Sequence, residues 1–336
     1  MAQPRLGVTV DTEAVSRDDD ETEQPPHLES SLSNRTKTLI RAVSDIHVRY
    51  GVHSIQNLRP EMEDAHRAVI AGQPVIDGDE KQTHSLGSWS YFAVFDGHGG
   101  AHAAEFAGER LHSLLAEDCE ALNTDPCEAL RRAVARTEEQ WLTLASAEEL
   151  MDGTTAAVAL VNKEISKVVV GNVGDSEILL GSRTSGGATL YEALTKVHHL
   201  KRSESEAARI SAAGGRVWRG RLGHPKINPQ VLSLSISRAI GDLFFKDEKY
   251  TDGHPSGLIA EPHIASVDVR REEVAQHFLL IGCDGLWDTV TYDQAADYIF
   301  ARLGEGESPQ AISEGLVHLA RDAGSSDNIT VMVVLL

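Results

Sequence analysis

Asp96-Gly97-His98-Gly99-Gly100 places a carboxylate, an imidazole and three glycines directly after the apolar run Tyr91-Phe92-Ala93-Val94-Phe95. Glycines let a backbone turn sharply and lie close to a ligand, and a carboxylate at such a turn can hold a hard cation that neutralises phosphate charge. Alone, the pentapeptide also reads as a plain strand-ending turn, because Asp-Gly and Gly-Gly are common turn dipeptides. Three further clusters argue for more. Arg59-Pro60-Glu61-Met62-Glu63-Asp64 sets two acids side by side, Cys283-Asp284-Gly285-Leu286-Trp287-Asp288 ends the apolar run Phe278-Leu279-Leu280-Ile281, and Asp327-Asn328 opens the run from Ile329 to Val334. Each acid read singly is a solvated or capping carboxylate. Acids at the mouths of several apolar strands need a reason to converge, and a divalent metal is the simplest one.

The elements that must position these residues are legible as alternating strand and helix signals. Residues 101–116 and 126–147 read as amphipathic helices, the second opening on Asp125-Pro126, a capping acid and then proline at the first helical position. Strand signals follow at 154–161, 167–173, 177–181 and 188–193. Ser203-Glu204-Ser205-Glu206 and Thr291-Tyr292-Asp293-Gln294 both fit a capping box, which predicts helices over about 204–213 and 292–303, and Pro309 opens a helix over 309–322. Residues 231–237 alternate apolar and polar, the pattern of a half-buried strand, and 72–88 read as a polar surface loop between the first two strands. Runs of strands, then a helix pair, then strands again argue against regular βαβ winding and for helices outside stacked antiparallel sheets.

Composition sets outer limits. The 336 residues can bury a large core, and a net charge of −20 argues against non-specific binding to nucleic acid or anionic lipid. No apolar run approaches the length of a membrane span, the start has no signal pattern, and the acid-rich 11–29 stretch is wrong for an organelle transit peptide. Three cysteines make no disulfide framework, so a reducing compartment, cytoplasmic and/or nuclear, is expected. Residues 1–36, with eight acids, three arginines and few large apolar residues, read as a disordered acidic tail, and 37–336 as one domain.

The set Arg59…Met62-Glu63-Asp64, Val94 to Gly100, Gly153-Thr154-Thr155-Ala156, Asn172-Val173-Gly174-Asp175-Ser176, Ser237 to Asp242, Asp284 to Asp288 and Asp327-Asn328 resembles the metal-dependent serine/threonine phosphatases of the PP2C (PPM) class. The motifs occur in the family's order over roughly residues 48–336. The resemblance implies an α+β fold, an αββα sandwich of two stacked antiparallel sheets flanked by helix pairs. It implies an enzyme that hydrolyses phosphoserine and phosphothreonine monoesters by attack of a metal-activated water at a binuclear Mn²⁺ or Mg²⁺ centre, with phosphoproteins as partners, no nucleic acid or membrane, and a monomeric state. Two hard cations would lower the pKa of a bound water and screen the phosphate dianion. Oxygen ligands suit Mg²⁺ or Mn²⁺, and no Cys/His cluster of the kind zinc prefers occurs.

Carried over residue by residue, the resemblance makes Asp96 the bridge between both ions. Asp284 and Asp327 complete one ion, Glu63 and the Gly97 carbonyl serve the other, and Asp64 holds waters around them. Arg59 would fork onto the substrate phosphate and His98 would be the general acid for the leaving oxygen. Asp152 is a candidate contact for a third, weaker ion, whereas Asp175 and Asp242 read as turn and network residues and Asp288 as a structural partner. The chain departs from the family at Glu177, where arginine is common, and at Val197, where aspartate is usual. A longer stretch over 221–232 falls where the family has a flap, and the basic segment Arg219 to Lys226, with Arg219, Arg221 and Lys226, is expected to accept acidic residues flanking the phosphate. The rivals are a non-catalytic phosphatase-like binding module and a metal-dependent hydrolase of small phosphate esters.

Overall fold

A computed structural model describes residues 48–76, 83–269 and 274–336. The expected tail over 1–36 lies outside the described residues. Ten strands build two sheets. In chain order they are β1 (Arg49–Ile55), β2 (Ala65–Val69), β3 (Ser90–Phe95), β4 (Ala156–Asn162), β5 (Lys167–Val173), β6 (Glu177–Thr184), β7 (Thr189–Ala193), β8 (His263–Asp268), β9 (Val274–Gly282) and β10 (Ile329–Leu335). One sheet has the order β1–β10–β9–β6–β7 and the other β8–β5–β4–β3–β2, with every pairing antiparallel.

The layering follows from side-chain alternation in strands that are apolar throughout. In β3, Phe92 and Val94 join a cluster with Ile178, Leu180, Leu279, Ile281, Met332 and Val334 of the opposite sheet. Tyr91, Ala93 and Phe95 point the other way, onto α1 (His102–Glu117) and α2 (Pro126–Glu148) through Leu111, Leu115, Leu130 and Val134. On the far side Leu280, Val331 and Val333 pack against Ile299, Phe300, Ile312 and Leu316 of α4 (Tyr292–Gly304) and α5 (Pro309–Asp322), leaving α3 (Glu204–Ala212) to the region between β7 and β8. Period-2 strands buried on both faces therefore give four layers, helix–sheet–sheet–helix, as expected.

Local signals hold with exceptions. Asp125 accepts from the Glu128 N–H, and Thr291 and Gln294 form a complete capping box. The box at α3 is half made: Ser203 accepts from the Glu206 N–H, but the Glu206 carboxylate turns to Arg209, Arg238 and Ser237. The strand expected over 231–237 is a strand only at Ser233–Leu234, and the loop expected over 72–88 joins β2 to β3. That loop includes a short hairpin, Pro74–Ile76 with Thr83–Ser85, and buries Val75 and Leu86 beneath it. A helix over Cys119–Thr124 adds to the expected set.

Candidate metal centre

The acids collect at one end of the sandwich because antiparallel pairing brings the right strand ends together. Asp96 follows β3, Asp175 follows β5 and Asp64 precedes β2 in one sheet, while Asp284 follows β9 and Asp327 precedes β10 in the other. Carboxylate oxygens of Asp96, Asp175 and Asp284 lie within 4.8 Å of one another, and the same holds for Asp64, Asp96 and the Cys283 sulfur. Asp175, expected as a turn residue, is thus part of the cluster, and it is 4% exposed. It ends an apolar strand just as Asp96 and Asp284 do, which was the signal for it.

Hydrogen bonds hold the loops that carry these acids. Thr155 Oγ1 accepts from the Asp96 N–H at 3.0 Å, its own N–H returns to Asp96 O, and its hydroxyl meets Ser176 Oγ at 2.7 Å. Asn328 accepts from the Glu63 N–H and donates to the carbonyls of Gln56 and Glu61, clamping the 56–63 loop onto the start of β10. Gly97 has to be glycine: a Cβ there would lie 2.3 Å from the Glu63 carbonyl oxygen.

Burial and mutual repulsion dominate the electrostatics of the site. Burial and then the neighbouring acids push Asp96 well above the usual carboxylate range and Asp284 to about 8. Burial is likewise the main cause for Asp64 and Asp175, each raised to about 6. Asp64 Oδ2 accepts from the Thr330 hydroxyl, while Oδ1 is buried with no hydrogen-bond partner. A buried orphan oxygen beside mutually repelling carboxylates is the environment that a hard cation and its waters relieve. These residues therefore fit a divalent ion. Cys283 does not add a thiolate, since burial followed by Asp64 and Asp96 drives its pKa far up.

The other expected residues fall around this core. Glu63 lies outside both groups of converging atoms, and its Oε1 accepts from the Gly100 N–H at 2.6 Å. Asp327 pairs with Arg59 at 2.6 Å, and Arg59 keeps 47% of its side chain exposed. Asp152 spends an oxygen on the Ala103 N–H at the start of α1, the use of a helix-capping acid. His98 turns its Nε2 to both oxygens of Asp242, each at 2.9 Å. Burial opposes charge on that ring, but Asp242 outweighs it and the imidazole pKa is raised.

The departures also find partners. Glu177, 1% exposed, pairs with Arg202 at 2.8 Å and accepts from the Tyr292 hydroxyl, so the reversed charge is compensated locally. The basic stretch is mostly spent on itself. Arg221 donates to Ser233 twice, Lys226 pairs with Asp252 at 2.6 Å, and Arg219 lies 4.9 Å over the Trp218 ring. Of the three cations expected to face acidic substrate residues, Arg219 is exposed and, among the described residues, is the one without an anionic or hydrogen-bonded partner of this kind.

Residues 48–329 match the family model described as Protein phosphatase 2C. Protein phosphatase 1E of Mus musculus is 35% identical over 299 residues, 88% of this chain and 36% of that protein. Protein phosphatase 1F of Homo sapiens is 35% identical over 291 residues, 85% of this chain and 56% of its own length. The chain thus spans less than two thirds of either relative. A solved structure described as serine-threonine phosphatase 2C from Toxoplasma gondii superposes with a TM-score of 0.64 at 22% identity, covering 86% of this chain and 95% of that one. A C. elegans sex determining protein superposes at 0.66 with 21% identity, covering 89% and 71%. At those identities the two structures speak for the fold, while the family model, spanning every strand of the two sheets except most of β10 and all of the converging acids, settles descent: the chain belongs to the protein phosphatase 2C family.

Proposed function

We propose that the chain is a metal-dependent protein phosphatase that hydrolyses phosphoserine and phosphothreonine monoesters at a centre of two Mn²⁺ or Mg²⁺ ions. The observation that carries this reading is the convergence of Asp96, Asp175 and Asp284, with Asp64 beside them, where two sheets meet and burial raises all four carboxyls. Asp96, Asp284 and Asp64 would hold the ions directly or through water, joined by Asp175, with Glu63, the Gly97 carbonyl and Asp327 at the edges. When bound, the ions supply Lewis acidity, screening the phosphate dianion and lowering the pKa of water.

The chain's own residues do the rest. Arg59 is held at the rim by one bond to Asp327, and a guanidinium has five N–H donors, so it retains several for a phosphate. His98 supplies the proton that a poor alkoxide leaving group needs. Thr155, Ser176 and Asn328 keep the acid-bearing loops in place. Phosphate release from a phosphothreonine peptide with Mn²⁺, beside an Asp284→Asn control, tests the reading: turnover that survives both EDTA and the substitution would overturn it.

A further inference from the structure

His98 and Asp242 lie 144 positions apart in the chain, yet the fold closes them onto each other with unusual completeness. Both carboxylate oxygens of Asp242 sit 2.9 Å from Nε2. The carboxylate is 5% exposed and the imidazole 29%, so the shared edge is sealed while part of the ring stays open. A small three-stranded sheet makes this possible. Gly153–Thr154 is its middle strand, pairing with Gly97–His98 on one side and Ile240–Gly241 on the other. The middle strand has to begin with glycine, because a Cβ on Gly153 would lie 2.4 Å from Asp242 Oδ2 and 2.8 Å from His98 Nε2.

The backbone of Asp242 is bent to the same end. Its φ of 58° and ψ of 51° lie in the left-handed region, uncommon for non-glycine residues although aspartate tolerates it better than most. The enforcing bonds are visible: Asp242 N–H to Asp152 O at 3.0 Å, the Phe245 N–H to Asp242 O at 2.8 Å, and the Gly241 N–H to Glu138 at 2.7 Å. Lys246, with its side chain 10% exposed, holds the other oxygen of Glu138.

We infer that Asp242 is the positioning residue for His98, holding the ring by Nε2 so that Nδ1 is the nitrogen facing the departing serine or threonine oxygen. The inference rests on the phosphatase reading above. As the P–O bond breaks, its electron pair goes to the leaving oxygen and the proton on Nδ1 moves to that oxygen. His98 is left neutral with Nε2–H still donated to Asp242. A carboxylate at this distance fixes both the ring plane and the tautomer, and fixing them matters because proton transfer demands alignment.

The test compares kcat on a phosphothreonine peptide and on p-nitrophenyl phosphate, whose leaving group needs no proton, for wild type, His98→Ala, Asp242→Ala, Asp242→Asn and the double alanine variant. General acid catalysis is worth about 10²–10⁴-fold, so His98→Ala should lose that much on the peptide and little on the ester. Asp242→Ala should show the same selective loss, at least about tenfold, Asp242→Asn should recover part of it through its amide oxygen, and the double variant should be no worse than His98→Ala. In the metal-free protein the ring N–H resonance assigned by its absence in His98→Ala should also vanish in Asp242→Ala. Should that variant not fold, Gly153→Ala wedges the pair apart and should give the same selective loss. Equal losses on both substrates, additive losses in the double variant, or an unchanged resonance would overturn the role of Asp242. Failure of His98→Ala itself to separate the substrates would instead overturn the role given to His98.

Discussion

Two groups of carboxylates in this molecule meet opposite fates. Glu206, 6% exposed, receives hydrogen bonds from Arg209, Arg238 and Ser237. Burial works against its charge, but those bonds outweigh it and hold its pKa far below the ordinary range. Asp64, Asp96, Asp175 and Asp284 are buried beside other acids; Thr330 donates to Asp64, and His98 and Arg202 oppose the effect at Asp175, but burial prevails and all four are raised. One group is neutralised by the chain; the other is left for something outside it. The contrast separates an acid kept for structure from acids kept for a ligand, which composition alone cannot do.

The sharpest way to break the contrast is to remove charge from the unneutralised group. Asp96→Asn or Asp284→Asn should cut Mn²⁺-dependent peptide phosphatase activity by more than about 10²-fold, since even residues supporting metal ligands are worth 10–100-fold. The melting temperature of the metal-free protein should hold or rise, because the cost of burying an ionisable acid among others has gone. A large fall would mean that these acids are structural after all. The same change at the neutralised group should do the reverse. Glu206→Gln strands two guanidinium groups and should cost about 3–5 kcal/mol in denaturant unfolding, with or without metal.

A pH scan sharpens the comparison at smaller amplitude. Unfolded aspartate titrates near 4, whereas folded Asp64 and Asp175 titrate at about 6 and Asp284 at about 8. Between those values the folded state binds more protons than the unfolded one, so metal-free stability falls as pH rises from about 4 to about 8. Differential scanning of metal-free protein should show a melting temperature lower at pH 8 than at pH 5.5, and saturating Mn²⁺ should raise it more at pH 8. A metal-free melting temperature that climbs over this range would contradict the assignment. The smallest effect belongs to Arg219. Arg219→Ala should change the kcat/KM preference between acidic and basic versions of one phosphothreonine peptide by no more than an exposed pair is worth, about 0–1 kcal/mol, and high salt should erase it. Arg221→Ala should leave the preference unaltered, because that side chain already serves Ser233.

Much of this was legible in the chain, and the gaps have physical causes. Helix starts at Asp125, Thr291 and Pro309 are local chemistry, and the structure places them as expected. The run over 231–237 misled because its alternation serves scattered contacts. Ser235 O accepts from the Leu200 N–H, and Ser237 bonds to His198 and Glu206, so the ladder is confined to Ser233 and Leu234 against Gly223 and Leu222. Asp96 and Asp284 stand out as acids ending apolar runs, and Asp64 as one of two adjacent acids. The pairing of His98 with Asp242, of Glu177 with Arg202, and the diversion of Glu206 from its capping box all depend on long-range closure, which no local pattern encodes. Asp175 reads locally as a turn residue, and only the closure of the two sheets brings it beside Asp96 and Asp284.

The acids around the centre are donated by both sheets, Asp96 and Asp175 by one and Asp284 by the other. Between the sheets Val94, Ile178, Ile281 and Val334 pack through non-directional apolar contacts, with the Thr330 hydroxyl on Asp64 a polar link at the acid end. An ion gripped from both sides would act as a rivet through the sandwich. Amide hydrogen exchange in β3 and β9 should then slow on metal addition well beyond the loops that touch the ion, and loss of the ion should loosen the whole interface before it loosens the helices outside it.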